Sequence, residues 1–367
     1  ATKVMCRDTE LAVGAAAQAV ENAGITTAGT SDGPPTIDPS RIGCHIGAGL
    51  ISAEVNELGA ALVTSKNADG SFDLAHWGSE GMQNLSPLWL LKYLPNMLAC
   101  HVTIVHDCRG PSNTITCCEA SSGLSIAESR RVIQRGDADA CLSGGAEDRV
   151  NPLALYRQHC TDRLAETDGS GDITKIIQPF SKDSNGTLIG EGGGILLIES
   201  ENSCNSRSGS PWCTIDGIGC RQSFTETPLD ADPVALTSAI NKAMCEANCK
   251  PSDIDLIVPL GSGIPKIDAV EVVGLTSVFG ETLHNIPTIT TIPYTGNCMA
   301  GNGAICIGVA AKAMKEQTIP ARLGSDITAG IHAEKCDSKE TQINNVLVVT
   351  PSEGGQCVAI ILGRITS

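Results

Sequence analysis

Apolar residues recur at helical spacing through residues 8–25, DTELAVGAAAQAVENAGI, and the run closes on Ala-Gly, which predicts a helix and its stop. DPSRIGCHIGAG (38–49) then reads as a turn, a short apolar strand and a glycine corner. The same plan returns in the second half of the chain. There DPVALTSAINKAMCEANCK is a helix of similar length, and SDIDLIVPLGSG is a buried strand ending in Gly-Ser-Gly. A second pair follows in the same order: NTITCCEASSGLSIAESRRVIQRG (113–136) and TITTIPYTGNCMAGNGAICIGVAAKAMKEQ (288–317) each run strand, turn and small-residue helix. These matches predict an internal duplication in an α/β architecture. The polar stretch ESENSCNSRSGSP (199–211) is its seam, which places the halves at 1–203 and 204–367.

Between the paired segments, DADACLSGGAED (137–148) predicts a buried strand followed by glycines, and QPFSKDSNGTLIGEGGGILLIES (178–200) a turn-rich loop, a glycine cluster and a hydrophobic strand. The glycine cluster is not a phosphate loop, because it lacks the Gly-Lys-Ser/Thr ending and the following helix. It reads as a tight turn packed against another segment. The apolar run ACHVTIVHDC (99–108) reads as a strand, with His101 and His106 as structural residues. Those histidines, with Asp107 and Cys108, match no familiar metal-ligand spacing, and neither a metal nor a cofactor is expected.

Composition narrows the function classes. With 41% hydrophobic but only 3% aromatic residues, a sizeable core must be built from Ala, Val, Ile and Leu. A net charge of −16 argues against a nucleic-acid surface, which needs clustered Lys and Arg. Seventeen cysteines would suggest a disulfide scaffold in a short secreted chain, but several here sit in apolar runs (Cys141, Cys298, Cys306, Cys357). Their number is odd, and reduced thiols are expected. No apolar run is long enough to span a membrane, and the front of the chain lacks the layout of a signal peptide. These features together lead us to expect a cytoplasmic protein.

The stretch GPSNTITCCEASSG (110–123) has the shape of a strand delivering a reactive side chain to a helix N-terminus. Cys117, Cys118 and Glu119 all compete for the reactive place. A carboxylate there also has a purely structural use, since unpaired backbone N–H groups at a helix start stabilise it.

Three segments resemble the β-ketoacyl synthase family. QPFSKDSNGTLIGEGGGILLIE is similar to the family's R-P-F-D-K-D-R-D-G-F-x-x-G-E-G-x-G run through Pro179, Phe180, Lys182, Asp183, Gly186, Gly190, Glu191, Gly192 and Gly194, with Glu199 at its end. DADACLSGGAED resembles its A-D-x-x-x-x-G-G-x-E, and DPSRIGCHIGAG its D-P-x-R-x-G-x-x-x-G-x-G. The resemblance implies a thiolase-like duplicated αβαβα sandwich, usually dimeric, and it implies a first strand that would precede Ala1. The implied chemistry is acyl transfer. A cysteine at a helix N-terminus takes the acyl group as a thioester, and two histidines promote malonyl decarboxylation and stabilise the developing anions.

Set on the family motifs without gaps, this chain departs at the reactive positions. Gly110-Pro111 places Cys118 on the alanine and Glu119 on the nucleophile; a one-residue slip would make Cys118 the fallback nucleophile. LGSGIPKIDAVE keeps Gly261, Pro265, Asp268 and Glu271 but carries Leu260 for the first histidine, and Asp268 and Glu271 read as structural. IPYTGN keeps Gly296 but carries Asn297 for the second histidine and Ile292 for the lysine. The C-terminal gate, F-G-F-G-G in the family, reads PSEGG, with Pro351 and Glu353 at its aromatic positions. Residues that act as a unit lose most of their rate at the first deletion. The resemblance is therefore to a degenerate member, near the chain length factor, a non-condensing half of a heterodimer whose local run Q-A-G-G-L resembles EASSGL (119–124). It implies a homodimer or a heterodimer with an active ketosynthase, and an acyl carrier protein as a further partner. Two alternatives stay open: an acyl-thioester enzyme of altered chemistry (acyltransferase or decarboxylase), and a non-catalytic homodimeric scaffold.

Overall fold

The computed structural model describes residues 4–167, 169, 172–227 and 229–365. Helical spacing at the front becomes α1 (Arg7–Asn22), and the run with the glycine corner becomes β1 (Ile42–Gly47). Four short helices follow: α2 (Val55–Thr64), α3 (Leu74–Ser79), α4 (Trp89–Lys92) and α5 (Met97–His106). Next come β2 (Ser112–Ile115), α6 (Ser121–Gln134), β3 (Ala140–Asp148), α7 (Pro152–Cys160) and β4 (Glu191–Glu199). The seam holds a short helix, α8 (Glu201–Ser206). Beyond it lie β5 (Thr214–Gln222), α9 (Pro233–Ala247), β6 (Leu256–Val258), α10 (Pro265–Phe279), α11 (Ile292–Thr295) and α12 (Asn302–Glu316). Two short strands, β7 (Thr318–Ile319) and β8 (Lys339–Glu340), precede the long hairpin of β9 (Asn345–Pro351) and β10 (Gln356–Gly363).

The helix starts follow side-chain chemistry. Asn151 and Asp232 each accept the backbone N–H two residues on, and Pro152 and Pro233 occupy the first turn, where a missing N–H costs nothing.

Two four-stranded sheets result, ordered β2-β1-β3-β4 and β5-β10-β9-β6. In each, one long strand pairs antiparallel with a hairpin-like neighbour and parallel with the strand beyond it. Strands β3 and β9, β4 and β10, and β1 and β6 are thus counterparts in a duplicated plan. Two places differ. β10 carries β5 on its outer side, whereas among the described residues no strand pairs with the outer side of β4; and β1 carries β2, whereas β6 ends its sheet.

Side-chain alternation shows why these strands read as continuous apolar runs. Val358, Ile360 and Leu362 of β10 pack with Ile126 and Ala127 of α6 and with Cys306, Ala310 and Met314 of α12. Their neighbours Cys357, Ala359 and Ile361 point the other way, onto Leu236, Ala239 and Ile240 of α9 and Leu275 of α10. The first sheet buries Ile42, Cys44, Ile46 and Leu142 against Ala12 and Ala16 of α1 and Val102 of α5. A sheet covered on both faces needs hydrocarbon at successive positions. The layers run helices, sheet, helices, sheet, helices, with α6 and α12 in the middle: the αβαβα sandwich.

Glycine lets the middle helices approach the first sheet. A Cβ on Gly47 would sit 2.5 Å from the Ser121–Ser122 backbone, and one on Gly145 would sit 2.5 Å from the Ala300 carbonyl oxygen. Both contacts fall at the start of a middle helix, so the glycines set how closely each helix start meets the sheet.

Three expectations fail. The glycine cluster read as a tight turn lies inside β4, where Gly192, Gly193 and Gly194 pair with Glu147, Ala146 and Gly145 of β3. The run expected as a strand around His101 and His106 is α5, its buried Leu98, Ala99, His101, Val102 and His106 lying on one helical face against α1 and β1. A short apolar run encodes burial without choosing a period. The strand expected before α11 shrinks to a single bridge between Ile257 and Thr288. The seventeen cysteines are free thiols.

A buried ion-pair cluster at paired helix starts

After β2 the chain turns sharply. Cys118 takes φ +45°, a left-handed value that β-carbons disfavour, and a 3-10 turn Cys118–Ala120 leads into α6. The second half repeats the corner: Met299 has φ +44°, and the turn Met299–Gly301 leads into α12. The two corners meet in the middle of the molecule.

Glu119 is fully buried there. Its carboxylate does not use the free N–H groups of α6; it is paired with the guanidinium of Arg163, which is itself 4% exposed. Arg163 also pairs with Glu353 in the turn between β9 and β10, and its Nη2 lies 3.8 Å from the Met299 sulfur. Ser352 Oγ donates to the Cys117 carbonyl (3.0 Å) and approaches Glu119 Oε2 (3.4 Å). One guanidinium thus bridges two carboxylates from segments far apart in sequence. The local pattern HCTDRLAE gives no sign of this role for Arg163, which sequence reasoning missed.

A second buried pair lies beside the first. Glu147, at the end of the Gly-Gly run of β3, pairs with Arg149 and accepts the Ala300 N–H at 2.9 Å. Burial pushes its carboxyl up to about 7 against the pull of Arg149. Cys118 sits among these charges, its thiol 3.7 Å from Glu353 Oε2. Burial first, then the Glu119 and Glu147 carboxylates, push that thiol up to about 12, so very little of it is thiolate at neutral pH.

Leu260 and Ile292, assigned by the resemblance to a histidine and a lysine, are both fully buried. They share one hydrocarbon cluster with Ile177, Ile264 and Ile267. Such a cluster offers nothing to hold or pass a proton. Asn297 is buried at the second corner and shapes it: Oδ1 accepts from the Met299 N–H (2.9 Å) and from Asn302 Nδ2 (2.7 Å). Its own Nδ2 has no protein partner among the described residues.

Asp268 and Glu271, from α10, hold backbone in place. Asp268 accepts from the N–H groups of Phe180 and Ser262, each at 2.9 Å, and Glu271 from those of Leu260 and Gly261, each at 2.8 Å. Their structural reading agrees with this geometry. The gate position Pro351 is buried at the end of β9, and Glu353 begins a turn whose Gly354 and Gly355 have φ +76° and +77°. Glu119 and Glu353 are therefore joined through Arg163, with the Cys118 thiol beside Glu353, whereas Leu260 and Ile292 sit in a separate apolar cluster. Among the described residues no group of three or more His, Cys, Asp or Glu is placed to hold a metal ion.

Two family models match the sequence, the β-ketoacyl synthase N-terminal domain over residues 2–203 and the β-ketoacyl synthase C-terminal domain over residues 212–326. The chain belongs to the β-ketoacyl synthase family. Among its relatives, a 3-oxoacyl-[acyl-carrier-protein] synthase 2 of Staphylococcus aureus is 29% identical over 318 residues, 86% of this chain and 72% of the relative. An actinorhodin polyketide putative beta-ketoacyl synthase 2 of Streptomyces coelicolor is 26% identical over 317 residues, 82% of this chain and 74% of the relative. The fold recurs in solved structures. A chain from a solved structure of a type II PKS acyl-carrier protein in complex with its ketosynthase superposes with a TM-score of 0.86 at 20% identity, covering 98% of this chain and 85% of that one. The ishigamide ketosynthase/chain length factor gives 0.81 at 21%, covering 100% and 84%.

Proposed function

We propose that this chain is a catalytically silent ketosynthase-like subunit in fatty-acid or polyketide assembly, of the chain-length-factor kind. The observation that carries it is the Glu119–Arg163–Glu353 cluster at the place of the nucleophile. A carboxylate cannot form the acyl thioester, and one neutralised by a buried guanidinium is not free to act as a base. The hydrocarbon around Leu260 and Ile292 and the structural use of Asn297 leave no group to promote decarboxylation.

Its role is as a dimer partner. Strand β2 lies at the edge of its sheet with Ser112 and Asn113 exposed, and the α2–α4 region presents Val63, Phe72, Leu74, Met82 and Leu90 to solvent. An open edge strand and exposed apolar side chains each support burial against a second subunit. That subunit is either an active ketosynthase, to which an acyl carrier protein would deliver substrate, or a second copy.

The test is intact mass spectrometry after incubation with a labelled acyl thioester, alone and together with a candidate ketosynthase. The expected result is no adduct on this chain in either case, and an adduct on the partner. An adduct on the lone protein that is lost in Cys118→Ala but kept in Glu119→Gln would overturn the register and favour an enzyme of altered chemistry.

A further inference from the structure

Arg149, Arg163 and Arg322 are the arginines buried among the described residues. The first two each pair with a carboxylate, but Arg322, 5% exposed, has no described carboxylate within 4.0 Å. Its Nη1 donates to the Thr288 and His332 carbonyl oxygens (2.9 and 2.7 Å), and its Nε donates to the Cys336 sulfur at 3.0 Å. Carbonyl groups satisfy hydrogen bonds but carry no countercharge. A buried guanidinium held this way keeps its positive charge directed at the sulfur. The backbone fixes the pair. The Arg322 N–H donates to the Cys336 carbonyl at 2.8 Å in an antiparallel bridge, and the Lys335 N–H donates to the Ser325 carbonyl at 2.8 Å, closing the loop between them. Cys336 itself is half-buried.

A cation fixed beside a sulfur stabilises the negative charge that builds up as the sulfur attacks an electrophile. Other thiols differ in burial or in neighbours. Burial pushes Cys213, Cys298, Cys306 and Cys357 up to about 12. Burial is also the largest cause at Cys118, pushed up to about 12 despite Arg163 and Arg149, and at Cys220, pushed up despite Arg131. Cys160 and Cys245 are exposed, without a cation on sulfur among the described residues. We propose that Cys336, activated by the uncompensated Arg322, is the site at which this chain is oxidised by hydroperoxides. The sulfur attacks one peroxide oxygen; the S–O bond forms, the O–O bond breaks, and the thiol proton leaves with the second oxygen. Cys–SH and H2O2 thus become Cys–SOH and H2O, the sulfur oxidised by two electrons and the peroxide reduced.

The experiment is brief exposure of the folded full chain to sub-stoichiometric hydrogen peroxide with dimedone as the trap, followed by peptide mapping. Cys336 is expected to carry dimedone at about ten times the level of Cys160 or Cys245, the factor that one charge-assisted hydrogen bond supplies. Solvent exposure alone gives the reverse order. In guanidinium chloride the advantage should vanish, because it belongs to the folded pair. In Arg322→Met, shown folded by circular dichroism, Cys336 labelling should fall to the level of Cys160, and Arg322→Lys, which keeps the charge, should recover part of it. The ranking in the parent needs no variant and decides the matter should Arg322→Met not fold. Labelling of Cys160 or Cys245 at or above that of Cys336 in the folded parent, or undiminished Cys336 labelling in a folded Arg322→Met chain, overturns the proposal. No acyl substrate is involved, so the outcome is independent of the acyl-adduct experiment.

Discussion

Replacing Arg163 by Met keeps the unbranched stem and deletes the only cation paired with Glu119 among the described residues. The carboxylate is fully buried and would be left with the Ser352 hydroxyl at 3.4 Å. Breaking a buried pair by removing one partner costs about 3–5 kcal/mol, because the remaining charge has lost its solvent and its counterion together. Glu353 adds little to this, since it can turn toward water. For 367 residues, an unfolding entropy of about 2.1 cal/mol/K per residue amounts to about 0.8 kcal/mol/K. Arg163→Met should thus lower Tm by about 4–6 °C in differential scanning fluorimetry. Removing both charges, in Glu119→Gln/Arg163→Met, abolishes the uncompensated carboxylate and should return most of the loss, to within about 1–2 °C of the parent. Two outcomes refute the reasoning: a single variant within about 1 °C of the parent, or a double variant as unstable as the single one.

Glu119→Cys alone should not restore condensation, because Leu260 and Ile292 still form hydrocarbon and Arg163 is left facing a thiol; detection of a 3-oxoacyl product from acyl and malonyl thioesters would contradict this. Burial holds Asp8, Glu147 and Asp268 protonated up to about 6, 7 and 6, above their ordinary values near 4. The native chain then binds more protons than the unfolded one between about pH 4 and 7, so these groups make stability fall as pH rises through that window. Asp8→Asn keeps an acceptor for the Asp148 N–H and should reduce the Tm difference between pH 5 and 7.5, and an unaltered difference would count against the assignment. Thr114→Pro in β2 should weaken self-association or heterodimer formation in analytical ultracentrifugation, since the Thr114 N–H is bonded to Asn113 Oδ1 and is not needed for pairing with β1. A dimer as tight as the parent's would remove β2 from the interface.

Much of the architecture was legible from local pattern. The helices α1, α6, α9 and α12 and the strands β1, β3, β4 and β6 fall on runs whose period and turn residues announce them, because period and turn chemistry are properties of neighbouring residues. Set on the family's motifs, the run from Gly110-Pro111 singled out Glu119, and three other motifs singled out Leu260, Ile292, Asn297 and Glu353 as the expected departures. α5 was misread because a short, mostly apolar run does not declare a period until something packs on it.

What the oddities do together was decided by tertiary structure. Glu119 and Arg163 are 44 positions apart, and Glu353 a further 190, so their neutralisation exists only once two halves stack five layers deep. Leu260 and Ile292 became one apolar cluster, and Asn297 a brace for the second corner, by the same stacking. Sequence determined which side chains occupy the corner after β2. Only the fold decided that a carboxylate there is held by a guanidinium away from solvent, since burial and the pairing of charges belong to the packed molecule and not to any short stretch of it.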